Sequence, residues 1–178
     1  MRSLCGAVLA ISVLVGGAQA ADPPKQAPKV TLKSPDGKQS YDLAKLTADG
    51  PVLVRLTCAC SGCDQEVGFF QKLQAAYDSK GLKTLAVFQG KPEEISQYVV
   101  KKDIRFLWLN DPKGECWKIF DTKTMPTNIL IDKGGEIVKI LPGCTRDGKN
   151  AQVLSSEIAK LLKTQEVQIA EAKTATKK

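Results

Sequence analysis

Residues 51–66, Pro-Val-Leu-Val-Arg-Leu-Thr-Cys-Ala-Cys-Ser-Gly-Cys-Asp-Gln-Glu, constrain the fold more than any other stretch. Val52, Leu53, Val54 and Leu56 form a short β-branched-rich run opened by Gly50-Pro51, which reads as a strand buried within a sheet. Val67, Phe70, Leu73 and Tyr77 then recur at helical spacing, and Gly81 stands where a helix-ending glycine belongs. The unit is therefore a strand, a tight turn and a helix, with Cys60 and Cys63 at the helix N-terminus.

That position has chemical consequences. The first turn of a helix presents unpaired N–H groups and a partial positive charge, and both favour thiolate over thiol. The more N-terminal sulfur gains most, so Cys60 is the candidate nucleophile. Cys63, one turn further in, is placed to attack a mixed disulfide formed on Cys60. Ser61 and Gly62 keep the turn small.

Residues 1–20 read as a secretory signal peptide. Arg2 is the positive end, Leu4 to Val15 the apolar stretch, and Ala18-Gln19-Ala20 the small-x-small cleavage site. The apolar stretch is about a dozen residues, short of the roughly 18–20 that span a bilayer, so no stable membrane insertion is expected after cleavage. The protein is then exported, periplasmic or secreted, and begins at Ala21. Residues 21–29, rich in proline, read as a flexible linker, 30–163 as the folded domain and 164–178 as a polar tail.

The 178-residue chain has a formal net charge of +7 and contains no histidine. Lysines are spread along its length and form no focused patch, and aromatics are few, which favours a solvated basic surface over a nucleic-acid interface. The lack of histidine removes the commonest zinc, copper and haem ligand and the commonest general base. Chemistry therefore rests on cysteine. After loss of Cys5 with the signal, the chain keeps Cys58, Cys60, Cys63, Cys116 and Cys144, an odd number that leaves at least one thiol unpaired in the monomer. No glycine-rich phosphate loop is present, and no cofactor is expected.

The remaining elements follow in order. Val30 and Leu32, Asp36-Gly37 and Ser40 to Asp42 read as an N-terminal hairpin, followed by a small apolar turn from Leu43 to Leu46. Leu82 to Phe88 reads as a second buried strand and Pro92 to Lys101 as a helix, giving the βαβα order of a parallel sheet. Phe106 to Leu109 is a short strand and Glu115 to Phe120 a short helix. Thr127 to Ile131 and Glu136 to Leu141 are antiparallel strands joined through Asp132-Lys133-Gly134-Gly135. A final helix carries Ala151, Leu154, Ile158, Leu161 and Leu162 on one face. Phe106, Trp108, Trp117 and Phe120 are assigned to the core.

This order, with Cys60-Ser61-Gly62-Cys63, Glu66, and Thr124-Met125-Pro126-Thr127 ahead of Ile129-Leu130-Ile131-Asp132-Lys133-Gly134-Gly135, resembles the thioredoxin fold. It resembles more closely the exported TlpA-like thiol:disulfide oxidoreductases, related to the alkyl hydroperoxide reductase and redoxin group. The resemblance implies an α/β fold with a central mixed sheet flanked by helices and an N-terminal β-hairpin extension. It implies catalysis by Cys60 and Cys63, which interconvert with a Cys60–Cys63 disulfide. Pro126 is expected to be cis beside the dithiol, and Met125 to offer backbone groups to an extended substrate. Its partners would be protein disulfides or dithiols and an upstream electron donor.

Glu66 has two readings, a carboxylate that tunes the dithiol or an exposed helix residue in a favourable dipole. Many relatives have a tryptophan immediately before the first cysteine, where this chain has Ala59, with Cys58 ahead of it. Cys58 and Cys144 are auxiliary thiols. Cys144 follows Leu141-Pro142-Gly143 in a loop on the active-site side of such folds. Cys116 reads as a small buried hydrophobe, with a Cys116–Cys144 disulfide as the weaker alternative.

Two other functions compete. Thr57-Cys58-Ala59-Cys60 matches the Thr-x-x-Cys of peroxiredoxins, with Cys60 as the peroxidatic cysteine. Pro51 is misplaced for that motif, however, and Arg146 or Arg55 would have to serve the sulfur. A noncatalytic redox or metal-binding module is the third class. Cys58, Cys60 and Cys63 suit a soft metal, but a lone Cys-x-Cys-x-x-Cys without histidine is a weak signal, and no metal is assigned.

Overall fold

The computed structural model describes residues 26–170, so the signal peptide and cleavage site expected within residues 1–20 lie outside the described residues. Five strands make one sheet: β3 (Val52–Thr57), β4 (Lys83–Phe88), β5 (Leu107–Asn110), β6 (Thr127–Ile131) and β7 (Ile137–Pro142). Their order is β5-β4-β3-β6-β7. The first three are parallel, while β6 and β7 run antiparallel to their neighbours. A separate two-stranded hairpin, β1 (Thr31–Lys33) with β2 (Ser40–Asp42), precedes them. This is the mixed sheet with an N-terminal hairpin that the resemblance implies.

Alternation along the strands assigns the two faces. Leu53, Ala86, Phe88 and Leu130 pack with α2 (Ser61–Tyr77), α3 (Pro92–Lys101) and α5 (Lys149–Leu162). Val52, Val54, Leu56, Leu85, Val87, Ile129 and Ile131 pack with α1 (Leu43–Asp49) and α4 (Glu115–Ile119). Each fully buried Leu or Ile contributes about 1.5–3 kcal/mol, so the centre of the sheet holds most of the driving force. β3 lies at that centre, and its C-terminal end delivers Cys58 to the sheet rim.

The expected α2 face is observed, with Val67, Phe70, Leu73 and Tyr77 all buried. A single 3-10 turn, Asp78–Lys80, extends the helix, and Gly81 then ends it in the left-handed conformation. Gly50 is required for a different reason. A Cβ there would meet the Gly81 carbonyl oxygen at 2.7 Å, so the loops entering β3 and β4 touch backbone to backbone. Phe106, Trp117 and Phe120 are buried as expected, while Trp108 is half-buried, edge-on to Phe88.

Three boundaries differ from the sequence reading. The apolar turn at Leu43 to Leu46 is the helix α1, capped by Asp42, whose carboxylate accepts from the Ala44 N–H at 2.9 Å. The linker assigned to 21–29 is already docked by residue 26. Gln26 bridges Glu136, and the Ala27 N–H donates to the Gly135 carbonyl at 2.7 Å. The tail assigned to 164–178 is anchored through residue 170. The Val167 N–H donates to Tyr77 Oη, Ser155 Oγ donates to the Val167 carbonyl, and the Ile169 N–H donates to Gln152 Oε1. Ile169 itself is 3% exposed within the α2–α5 core. Two apolar residues among polar ones suffice, because buried side chains of α2 and α5 satisfy the segment's backbone groups.

Truncating Ile169 to alanine should therefore lower unfolding stability by about 2–4 kcal/mol, as for a buried aliphatic side chain. Urea denaturation of the two proteins measures this. A change under about 0.5 kcal/mol, the level of an exposed substitution, would place the segment off the fold.

Candidate active site

Cys60 is the N-cap residue of α2, in extended conformation (φ −115°, ψ 156°), with an exposed side chain. Its carbonyl accepts from the N–H groups of Cys63 and Asp64 at 3.1 and 3.2 Å, which starts the helix. Cys63, one turn inside, is 1% exposed. An accessible sulfur thus sits at the positive end of the helix with a buried one beneath it. The two Sγ atoms are 3.5 Å apart.

Cys58 joins them. Its Sγ is 3.4 Å from that of Cys63 and is bonded to that of Cys60, while Cys63, Cys116 and Cys144 are free. The pair joined in this structure is therefore Cys58–Cys60, in place of the expected Cys60–Cys63. Three sulfurs crowd one turn, and the third is in contact with both members of the bond.

Beneath the cysteines lies a polar cluster that the sequence did not reveal. Arg55 is 1% exposed in the middle of β3, on the same face as Leu53. Its Nη1 donates to Glu66 Oε2 at 2.9 Å and to Asn128 Oδ1 at 2.8 Å, and Nη2 donates to the Cys63 carbonyl at 3.2 Å. Asn128 is the residue of β6 directly opposite Arg55. The second carboxylate oxygen of Glu66 accepts from the Thr145 N–H at 3.1 Å. Glu66 is 2% exposed, which rules out the exposed-helix reading. Its hydrogen-bond partners are Arg55, Asn128 and Thr145, so it holds the turn from below. Neither arginine considered for a peroxidatic sulfur is engaged that way, since Arg146 Nε donates to Gln65 Oε1.

The β3–β6 register, with Leu56 opposite Thr127, brings Pro126 alongside the end of β3. The Met125–Pro126 bond is cis, as the resemblance implied. Pro126 is buried, Met125 is half-buried before it, and the Pro126 carbonyl accepts from the Gly143 N–H at 2.7 Å. This bond draws in the next loop, where Cys144 Sγ donates to the Gly62 carbonyl at 3.4 Å. Cys144 therefore flanks the cysteine turn. Cys116 does not: it is 1% exposed in the opposite core, where burial and then the Asp111 carboxylate push its thiol well above the usual range. It is the buried small hydrophobe expected.

Asp64, next to Cys63, ties α2 to α3. Tyr98 Oη donates to one carboxylate oxygen at 2.6 Å and Lys102 Nζ lies 2.7 Å from the other. Partial burial opposes ionisation, but the hydrogen bonds and charge of Lys102, with the Tyr98 hydroxyl, outweigh it and hold the carboxyl below its ordinary value of 3.8. Burial, then the Asp64 carboxylate, pushes the Tyr98 hydroxyl far up. A cavity of about 530 Å³ bordered by Ser34, Asp36, Pro92 and Trp108 has no cysteine in its lining. The cysteine turn is a surface feature.

Fold and site together define a thioredoxin-like protein with cysteine-based chemistry. The sequence profile described as the AhpC/TSA family matches residues 23–140, and the chain belongs to that family. It is 26% identical over 120 residues to the thiol-disulfide oxidoreductase ResA of Bacillus thuringiensis, covering 67% of this chain and 69% of the relative. The ResA of Oceanobacillus iheyensis is 31% identical over 107 residues, covering 60% and 56%. Among solved structures, a putative thiol:disulfide interchange protein DsbE from Chlorobium tepidum superposes with a TM-score of 0.71 at 25% identity, over 80% of this chain and 99% of that one. A putative thioredoxin from Neisseria meningitidis gives 0.67 at 28% identity, over 81% and 94%.

Two outcomes follow from the polar cluster and from Asp64. Arg55→Met strands the Glu66 carboxylate in the core and should destabilise by about 3–5 kcal/mol in urea unfolding, whereas the double replacement Arg55→Met with Glu66→Leu should recover much of that loss. The Asp64 carboxyl is depressed in the folded state, so its contribution is present above its unfolded pKa and is lost as pH falls through the lower folded value. The stability difference between wild type and Asp64→Asn should be constant above about pH 5 and shrink below about pH 4. Chemical denaturation across that range measures it, and added salt should weaken this partly exposed pair.

Proposed function

We propose that the protein is an exported thiol:disulfide oxidoreductase acting on protein disulfides or dithiols through Cys60 and Cys63. The observation that carries this reading is the pairing of an exposed sulfur at the N-cap of α2 with a buried sulfur 3.5 Å away. The Cys60 thiolate attacks a substrate disulfide, forms a mixed disulfide and releases one substrate thiolate. The Cys63 thiolate then attacks Cys60 Sγ, expels the second substrate thiolate and closes the Cys60–Cys63 bond. Two electrons pass to the substrate, and an upstream dithiol donor returns them.

The Cys58–Cys60 bond is connected to this cycle without net oxidation. Attack by the Cys63 thiolate on Cys60 Sγ expels the Cys58 thiolate and yields Cys60–Cys63. Met125 and cis-Pro126 form the substrate-docking edge, where the backbone of Met125 pairs with an extended segment and the proline presents no competing N–H. Supporting this reading, relatives named thiol-disulfide oxidoreductase align over two thirds of the chain. Export rests on the character of residues 1–20, and no helix among the described residues is long and apolar enough to cross a membrane.

Titration of the mature protein in glutathione buffers, with alkylation and mass mapping, tests the assignment. Cys60 and Cys63 should interconvert as a pair between about −120 and −270 mV, and a pair locked below about −300 mV would refute exchange. The double replacement Cys58→Ser with Cys63→Ser, which removes both thiols able to attack Cys60 Sγ, should accumulate the mixed disulfide on Cys60, and Cys60→Ser should form none.

A further inference from the structure

We propose that in the reduced protein the thiolates of Cys58, Cys60 and Cys63 bind one copper(I) ion in a three-coordinate, all-sulfur site. The exchange cycle needs only Cys60 and Cys63, yet the Sγ atoms of all three residues lie within 4.8 Å of one another. Cys58 leaves the end of the central strand, Cys60 caps α2 and Cys63 lies in its first turn. Convergence is therefore imposed by the strand-turn-helix itself, and three donors within six residues are gathered with little further ordering.

The donor set selects the metal. Thiolates favour copper(I), zinc and iron–sulfur clusters over hard cations. Structural zinc almost always takes four ligands, and even catalytic zinc fills its fourth position with water or substrate. Among the described residues no histidine, carboxylate or further cysteine joins the three sulfurs. The chain has no histidine, Glu66 is held by Arg55, and Asp64 is held by Lys102 and Tyr98. Cys144 approaches the turn at the Gly62 carbonyl and is not part of the three-sulfur group. Three soft donors suit a monovalent ion of low coordination number.

The charge is also accommodated. Three thiolates and copper(I) leave two negative charges, facing the N-terminus of α2. Arg55, hydrogen-bonded to the Cys63 carbonyl, adds a buried positive group below. Loading starts from the reduced state. A dithiol reductant opens Cys58–Cys60 to two thiols and is itself oxidised to a disulfide. The three thiols then release protons as copper(I) binds, and the metal keeps its oxidation state.

The test is an anaerobic titration of the dithiol-reduced protein, freed of reductant, with copper(I) against a chromogenic copper(I) chelator. One ion per chain is expected. Cys58→Ser should bind at least about 10- to 100-fold more weakly, because losing a ligand costs no less than losing its supporting contacts. Cys144→Ser should bind as wild type does. In wild type, copper(I) should protect Cys58, Cys60 and Cys63 from alkylation while Cys144 still reacts, a readout independent of how any variant folds.

Equal affinity in Cys58→Ser would overturn the site, as would zinc outcompeting copper(I) with Cys144 as a fourth ligand. The metal site does not rest on the exchange reading. Glutathione titration of the wild type separates the two: one bound copper(I) without a Cys60–Cys63 couple would refute exchange and leave the site standing, and a couple without bound copper(I) would do the reverse.

Discussion

The buried ion pair between Arg55 and Glu66 is the constraint on which the site depends. Two charges removed from water are costly unless their remaining hydrogen-bonding capacity is met. Here Asn128 and the Cys63 carbonyl take the two Nη groups of the guanidinium and Thr145 takes the second carboxylate oxygen, while Arg55 Nε is buried without a partner. The guanidinium also lies 5.4 Å from the centroid of the Phe70 ring. One pair thus joins the central strand, the cysteine-bearing helix, the strand after cis-Pro126 and the loop of Cys144. The cysteine turn is exposed above, but it is fastened from below by a network inside the apolar core.

The fastening explains how a surface turn can hold reactive sulfurs in fixed relation. Cys63 and Glu66 are three residues apart and so share a face of α2. Their burial orients the first helical turn, which leaves Cys60 at the cap with its side chain outward. Thr145 brings Gly143 and Cys144 alongside, and Gly143 in turn binds the Pro126 carbonyl. The cis-Pro126 segment, Cys60 and Cys144 are therefore coupled through one polar cluster, and the apolar layers around it set its position in the sheet.

Much of this was legible in the sequence where a signal is local. The β3–α2 unit follows from an apolar run, a glycine-bounded turn and helical periodicity, and the β6–β7 hairpin from its Asp-Lys-Gly-Gly turn. Arg55 was not legible, because an arginine within an apolar run announces nothing until its partners are known, and those lie 11 and 73 positions away. Glu66 had two readings for the same reason, since burial was the missing fact. The docking of Val167 and Ile169 escaped because it rests on backbone groups meeting Tyr77, Ser155 and Gln152. Spacing placed Cys58, Cys60 and Cys63 close together but could not say which sulfurs touch.

Disulfide and metal make competing demands on those three sulfurs. Copper(I) needs thiolates, whereas any disulfide among the three removes two of them, so oxidation and metal binding exclude each other. By linkage, a ligand that binds only the reduced form stabilises it by RT ln(1 + [L]/Kd). For a two-electron couple, each tenfold excess of free copper(I) over its dissociation constant raises the reduction potential by about 30 mV. A few decades of copper availability would span the interval between a strongly reducing and a moderately oxidising thiol pair. The third cysteine then lets one cysteine turn answer to both electron supply and soft-metal supply, through the same sulfur atoms.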